Sequence, residues 1–248
     1  MTVTIQYYGI HTVNALLLKH AARIVKIYVL NERHDQRMQQ LLQRAVQQGV
    51  VCQSATRHEL TKLAQDEHHQ GVVALCQPLP AYREADLATL LAPRVATALV
   101  LVLDEVQDPH NLGACLRSAD AAGVDAVIIP KNNSAALTPV VRKVACGAAD
   151  IVPVVTVTNL ARSLTDLKDM GIWLWGAAGE ASTTIYQMDM KRGCGIVLGA
   201  EGKGLRRLTR EVCDGLMQIP LQGSVSSLNV SVACGICLFE AVRQRSSA

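Results

Sequence analysis

Short, almost continuously apolar runs alternate with amphipathic segments between residues 98 and 221. The runs have the length and β-branched content of buried strands, and the segments between them have helical periodicity. Strands that are apolar on both faces and separated by helices are typical of a parallel sheet covered on both sides. We therefore predict strands at 98–106, 126–130, 151–157, 171–178, 195–200 and 215–221, and helices near 112–122, 136–146, 159–169 and 205–213.

The first 76 residues repeat the same alternation on a smaller scale. Residues 5–18 are predicted to form a short strand or turn followed by a helix. Further strands are predicted at 24–30, at 50–55 and from 71 onward, and further helices at 35–48 and near 59–65. Residues 77–84, QPLPAYRE, contain two prolines and show no periodicity, which is typical of a linker or domain edge. We therefore expect an α/β protein with a small domain at 1–76, a linker at 77–88 and a larger domain at 89–248.

Composition indicates a globular chain with a large aliphatic core. Half of the 248 residues are hydrophobic and 18% are charged, whereas only 3% are aromatic. The chain therefore has few aromatic side chains on which nucleic-acid bases could stack. Residues 1–76 carry 8 Lys and Arg against 5 acids, and residues 77–248 carry 16 against 16. So small an excess fits a solvated surface as well as a nucleic-acid contact.

Eight cysteines lie mostly within apolar runs, as buried free thiols do. No leader pattern opens the chain, and no apolar run reaches the roughly 18 residues of a spanning helix. We expect a cytoplasmic protein without a membrane segment. The CGIC at 234–237 has no second CxxC and lies within a predicted helix, so we favour packing over a redox or zinc role.

Ligands of parallel sheets gather at the carboxyl ends of the strands, and unusual residues follow three of them here. The first stretch is DPHNLGACLRSADAAG, residues 108–123. In it, Asn111 is a good helix cap, and Gly113 leaves room for the Arg117 guanidinium one turn later to reach a ligand. An ordinary capped helix with a solvated arginine is the alternative, and spacing alone favours it.

The second stretch, GIVLGAEGKGL at 195–205, is a strand that runs into a glycine-rich loop. Its glycines permit close approach of backbone to a ligand. The spacing is neither GxGxxG nor GxxxxGK[ST], which excludes a dinucleotide fingerprint and a phosphate loop. A turn that merely reverses the chain is the alternative.

The third stretch is IPLQGSVSSLNVSVACGICLFEA, residues 219–241, in which a polar cluster leads into an apolar helix. We expect Ser227 to cap a helix that starts near Leu228, with Asn229 adding a side-chain donor in the first turn. The first N–H groups of a helix lack intrahelical partners and attract anions. Capping explains one serine but leaves Ser226 and Asn229 without a role.

These three stretches, in this order, resemble the three motifs of the SpoU (TrmH-like) branch of the SPOUT ribose 2'-O-methyltransferases. In addition, YYGIHTVNALL and EHHQGVVA resemble the ribosomal-protein-like RNA-binding domain of members that methylate a guanosine of 23S ribosomal RNA. The resemblance implies a trefoil knot in the C-terminal domain, a topology that general rules treat as nearly absent. It also implies S-adenosyl-L-methionine as methyl donor, no metal, a homodimer and 23S ribosomal RNA as the partner.

The resemblance assigns site residues motif by motif. It implies a cofactor pocket around Gly199, Ile219 and Leu228. It also implies catalytic or site-shaping roles for Asn111, Arg117, Glu201, Ser227 and Asn229. Lys203 occupies a variable motif position that suits a phosphate contact. Family proposals make Arg117 the proton acceptor, but a guanidinium with a pKa above 12 is a reluctant base, so a phosphate clamp stays open beside that role.

Three alternatives remain. The chain resembles tRNA and antibiotic-resistance rRNA 2'-O-methyltransferases of the same family, although many of the tRNA enzymes lack the N-terminal unit. A ribosome-assembly factor that binds RNA without catalysis would keep the same fold. The intact motif residues speak against this alternative. A nucleotide-hydrolysing α/β protein would need a phosphate-loop lysine and paired carboxylates for magnesium, and the sequence has neither at the required spacing.

Overall fold

The computed structural model describes residues 4–31, 33, 35–78 and 81–246. Its strands are β1 (Ile5–Tyr8), β2 (Ile24–Leu30), β3 (Cys52–Ala55), β4 (Val72–Cys76), β5 (Tyr82–Arg83), β6 (Leu99–Asp104), β7 (Ala126–Pro130), β8 (Val154–Val157), β9 (Trp173–Ala177), β10 (Cys194–Gly199) and β11 (Gly215–Met217). Its α-helices are α1 (Ile10–Lys19), α2 (Gln36–Gln47), α3 (Arg57–Ala64), α4 (Leu87–Leu91), α5 (Pro109–Ala122), α6 (Pro139–Val144), α7 (Leu160–Asp169), α8 (Arg207–Val212) and α9 (Val230–Ser246).

The chain divides into two compact units, and the first comprises Met1–Pro80 with Leu137–Asp150. Its sheet has the order β1-β4-β2-β3, in which only the β2–β3 pair is parallel. One face packs on α1 and α2 around Leu16, Ile27 and Leu41. The opposite face packs on α3 through Tyr8 and Leu60.

A buried polar cluster joins the 137–150 segment to strand β1 within this unit. The Tyr7 hydroxyl donates to Asp150 Oδ1 at 2.6 Å, and Arg142 Nη1 donates to the same oxygen at 2.8 Å. Burial, reinforced by the Asp150 charge, raises the pKa of Tyr7 well above its usual value. Because an unpaired charge is costly inside a protein, this segment is held by a specific ionic contact.

The second unit comprises Ala81–Ala136 and Ile151–Ala248. Its sheet has the order β11-β9-β10-β6-β7-β8-β5, and all of its strand pairs are parallel. Every residue of β6 is buried, as its continuous apolar sequence predicts. The predicted parallel α/β sheet is therefore confirmed.

Some predicted boundaries move for local reasons. β11 ends at Met217, earlier than predicted, and Pro220 beyond it has no N–H to donate to a strand ladder. Within the range 77–88 expected as linker, Tyr82–Arg83 forms the edge strand β5 beside β8. Glu84 then accepts hydrogen bonds from Arg162 and Ser163 of α7. The side chain of Arg162 lowers the pKa of this carboxyl. The domain bounds themselves stay a prediction.

Candidate active site

Three loops leave the carboxyl edge of the second sheet, after β6, β10 and β11. β6 and β10 lie side by side, with Asp104 paired to Gly199 at their last residues. β9 lies on the other side of β10, and β11 pairs with β9. The loops after β6, β10 and β11 are the three motif stretches, so parallel pairing gathers them at one edge.

Asn229 connects the three loops. Its Nδ2 donates to Asn111 Oδ1 at 3.0 Å and to Glu201 Oε1 at 2.6 Å. Asn111 is only 9% exposed, whereas Glu201 and Asn229 are exposed. Three residues predicted from separate motifs therefore form one hydrogen-bonded group.

The start of α9 differs from the prediction. Asn229, and not Ser227, is the capping residue, since its Oδ1 accepts from Ser231 N at 2.9 Å and its carbonyl accepts from Ala233 N at 3.0 Å. Glu201 Oε1 also accepts from Val230 N at 3.2 Å. The helix start thus binds an anion, as predicted, but the anion is a side chain of this protein.

The start of α5 also differs. Asp108 caps this helix through its side chain, which accepts from His110 N at 3.1 Å, and Pro109 occupies the first helical position. Asn111 is therefore inside the first turn, and the predicted capping role for it is wrong. Because the Asn111 side chain does not cap the helix, its Oδ1 can accept the hydrogen bond from Asn229.

The glycine-rich loop after β10 closes on itself. Gly204 N donates to Ala200 O at 2.9 Å, which brings Gly204 against the end of the strand. A Cβ at Gly199 would lie 2.1 Å from Gly204 C and 2.2 Å from Gly204 O. No side chain fits there without moving the backbone, so Gly199 shapes the loop sterically.

A cavity of about 530 Å³ lies beside this loop. Residues at and after the ends of β9, β10 and β11 line it, together with the segment 226–228. All three predicted cofactor residues contribute, Gly199, Ile219 and Leu228, as do Glu201 and Ser227. Its volume lies within the range of cavities that take a whole cofactor.

A second cavity, of about 240 Å³, lies on the loop as well. It is lined by Glu105, Val106, Gln107, Asp108, Asn111, Ala200, Glu201, Lys203 and Val230. Ala200, Glu201, Lys203 and Val230 line both cavities. Two ligands bound in these cavities would therefore lie on either side of the same four residues.

Arg117 stands apart from the other predicted site residues. It is exposed on α5 and lines neither of these two cavities. Within the part of the chain that the structure describes, its side chain forms no hydrogen bond or ion pair. The guanidinium is thus available to a ligand that comes from outside this chain.

Sequence reasoning missed two residues that fix the glycine loop. Asp104, fully buried at the end of β6, accepts from Arg206 Nε at 2.7 Å and from Arg206 N at 3.1 Å. The loop is thereby tied to the neighbouring strand just past its last glycine. An acid at the end of an apolar strand is the signal that would have found it, because a buried carboxylate needs a partner.

The two cysteines of the CGIC are buried thiols. Cys234 and Cys237 of the CGIC are buried in α9, and burial raises the pKa of Cys237 to about 12. A hydrogen bond to Cys115, together with burial, raises the pKa of Cys234. No group of three His, Cys, Asp or Glu side chains placed to hold a metal occurs among the described residues.

None of the helices in the described ranges is long and apolar enough to cross a membrane.

Comparison with known proteins gives two family matches. The SpoU rRNA methylase family matches residues 98–239, and a family described as RNA 2'-O ribose methyltransferase substrate binding matches residues 7–82. A 23S rRNA (guanosine-2'-O-)-methyltransferase, RlmB, from Pasteurella multocida is 56% identical over 239 residues, which cover 96% of this chain and 97% of that protein.

Solved structures agree on the fold. A crystal structure of an RNA 2'-O ribose methyltransferase has a TM-score of 0.81 and 26% identity, covering 99% of this chain and 90% of the other. The SpoU methyltransferase AviRb of Streptomyces viridochromogenes, in complex with the cofactor AdoMet, has a TM-score of 0.80 and 24% identity, covering 99% and 92%.

Proposed function

The chain belongs to the SpoU rRNA methylase family, and on this basis we propose that it transfers a methyl group from S-adenosyl-L-methionine to the ribose 2'-hydroxyl of a guanosine in 23S ribosomal RNA. The near full-length similarity to RlmB supports this substrate. The observation that carries the proposal is the hydrogen-bonded group of Asn111, Glu201 and Asn229, which joins three motif loops beside a cavity of cofactor size.

The 530 Å³ cavity suits S-adenosyl-L-methionine. Backbone around Gly199, Ile219 and Leu228 would hold it, in a lining that includes both apolar and polar residues. Arg210 and Glu180, an ion pair at the same cavity, offer charges that match an amino acid moiety. When bound, the sulfonium supplies an activated methyl group, so the protein's own task is to prepare the hydroxyl.

Positioning is the main contribution that we assign to the chain's residues. A well-oriented pair of reactants can save about 7 to 11 kcal/mol of barrier. Asn111, Ser227 and Asn229 would orient the ribose, and Glu201 holds Asn229 and the start of α9 in place. Arg117 would grip the phosphate beside the target ribose, because a guanidinium binds phosphate oxygens through charge-assisted hydrogen bonds.

We further propose that the chain works as a homodimer. Val232 and Phe239, one face of α9, are about half exposed, and exposed apolar side chains on one helix face suit a subunit contact. Arg117 lies on α5, which packs against α9, and lines neither of the two cavities. In a dimer, Arg117 of one copy would contribute to the active site of the second copy.

The domain assignments follow the same proposal. Residues 1–76 would bind RNA, residues 77–88 would link, and residues 89–248 would form the methyltransferase domain with a trefoil knot. The substrate-binding match at 7–82 and the excess of 8 basic over 5 acidic residues in 1–76 support the first assignment. We place the protein in the cytoplasm, where ribosomal RNA is available and its free thiols stay reduced.

Methyl transfer from labelled cofactor tests this function. Purified protein is incubated with the labelled cofactor and separately with 23S rRNA, 16S rRNA and tRNA, and the RNA is collected on filters. We expect label in 23S rRNA alone, and much slower labelling by Asn229→Ala. Label in tRNA would favour a tRNA enzyme, and no transfer to any RNA would favour a silent binding protein.

A further inference from the structure

The smaller cavity, next to the cofactor cavity, has a lining suited to one neutral nucleobase. Its 240 Å³ lies below the range of cavities that hold drug-sized ligands, so it takes one part of a larger molecule. Three carboxylates, Glu105, Asp108 and Glu201, face one cation, Lys203. A phosphate is disfavoured among these carboxylates, whereas a group rich in N–H donors is favoured.

Acceptor atoms remain in the cavity wall after the internal contacts are counted. Glu105 Oε1 accepts from Asn133 Nδ2 at 3.1 Å and pairs with Arg206 at 3.3 Å. Asp108 Oδ1 accepts from His110 N and also lies 3.4 Å from His110 Nδ1. Glu105 Oε2 and Asp108 Oδ2 accept no hydrogen bond from any described residue.

The wall also supplies a donor. Asn111 is nine-tenths buried and lines this cavity, and its Oδ1 is taken by Asn229. Its Nδ2 finds no acceptor among the residues described here. Because Asn111 lines the cavity and its Nδ2 is not used by the protein, this side chain can donate to a ligand that presents an acceptor.

Guanine presents both kinds of group on one edge, with the O6 acceptor beside N1–H and the N2 amino donors. We propose that this cavity holds the target base and that the carboxylates of Glu105 and Asp108 read the N1–H and N2–H₂ groups of guanine. This inference rests on the proposed function. Adenine would turn its N1 lone pair toward the same carboxylates, which disfavours it.

Replacing the target guanosine by inosine tests the reading, because inosine lacks only the N2 amino group. An RNA fragment carrying the mapped guanosine is compared with its inosine counterpart by kcat/KM. The wild-type chain should prefer guanosine about tenfold, in line with the discrimination of a good bidentate pair. Glu105→Gln and Asp108→Asn should each reduce the preference below about threefold, and Asn retains capping at position 108.

Glu211→Gln is the matched control, since Glu211 is an exposed carboxylate paired with Arg207 and lines neither cavity. It should keep the tenfold preference. Cofactor affinity by calorimetry verifies that each variant is folded. If a variant is not folded, the wild-type preference for guanosine over inosine alone decides whether the inference holds. Three results would overturn the inference. The first is an equal wild-type kcat/KM on guanosine and inosine RNA, and the second is an unaltered preference in both variants. The third is an equal loss of kcat/KM on both RNAs in the variants, which is what ribose binding predicts.

Failure of the proposed function gives a different result. If the wild-type chain methylates no 23S rRNA guanosine, the function and the inference both fall. If it methylates guanosine without discriminating against inosine, only the inference falls.

Discussion

Asn229 donates a hydrogen bond to Asn111 across 118 positions of sequence, at 3.0 Å. The same Nδ2 reaches Glu201 at 2.6 Å, while Oδ1 caps α9 through Ser231 N. One side chain therefore stabilises the helix and also aligns two other motif loops. The two roles use different atoms, so substitution can separate them.

Asn229→Ala should abolish both roles. Loss of a helix cap costs about 0.5 to 2 kcal/mol of unfolding free energy, and we expect kcat to fall at least about tenfold as the loops lose alignment. Asn229→Ser keeps a capping oxygen but is too short to bridge Asn111 and Glu201. It should restore most of the stability in urea denaturation without restoring kcat. Recovery of both together would show that Asn229 acts only as a cap.

Arg117→Ala should lower activity strongly and leave the cofactor site intact. The side chain is exposed and lines neither of the two cavities, so the cofactor Kd by calorimetry and the free energy of unfolding should change little. Loss of a charge-assisted phosphate contact should lower kcat/KM about a hundredfold. Arg117→Lys, which keeps the charge but loses the bidentate fork, should lie in between. Normal methyl transfer by Arg117→Ala would exclude this assignment.

Gly199→Ala should weaken cofactor binding. Its Cβ would meet the Gly204 backbone at 2.1 Å, so the loop that walls the cavity must shift. We expect the cofactor Kd to rise at least about tenfold. Gly223→Ala is the control, because a Cβ at Gly223 meets nothing within 4 Å and the residue does not line the cavity. Similar affinities for the two variants would place the cofactor elsewhere.

The CGIC thiols should be unreactive in the folded protein. Burial raises the pKa of Cys237 to about 12, so at pH 8 the thiol stays protonated, and the thiolate is the reactive form. A thiol reagent at pH 8, followed by mass spectrometry, should label Cys237 only after unfolding in guanidinium. The half-buried Cys146 provides the comparison within the same sample. Rapid native labelling of Cys237 would revive a redox role.

The sequence predicts strands best where burial dominates. β2 and β7 begin and end at the predicted residues 24–30 and 126–130, because apolar β-branched runs between polar segments leave little choice. The same reasoning predicts that the motif loops meet at one sheet edge, since parallel strands place all their carboxyl ends together.

Helix caps were predicted poorly, for a physical reason. Asp108 and Asn111 are both good caps, as are Ser227 and Asn229, so local preference cannot choose between them. The choice is made by tertiary contacts, in which Glu201 and Asn111 hold Asn229. The contact of Tyr7 with Asp150 likewise spans 143 positions, and no local pattern signals that residues 137–150 group with the N-terminal unit.

Nucleoside analysis of the methylated RNA shows whether the methyl group is on the ribose of guanosine. After reaction with labelled cofactor, 23S rRNA is digested to nucleosides and separated with standards. We predict that all label elutes as 2'-O-methylguanosine and maps to one nucleotide. Label in a base-methylated nucleoside would contradict ribose methylation by this site.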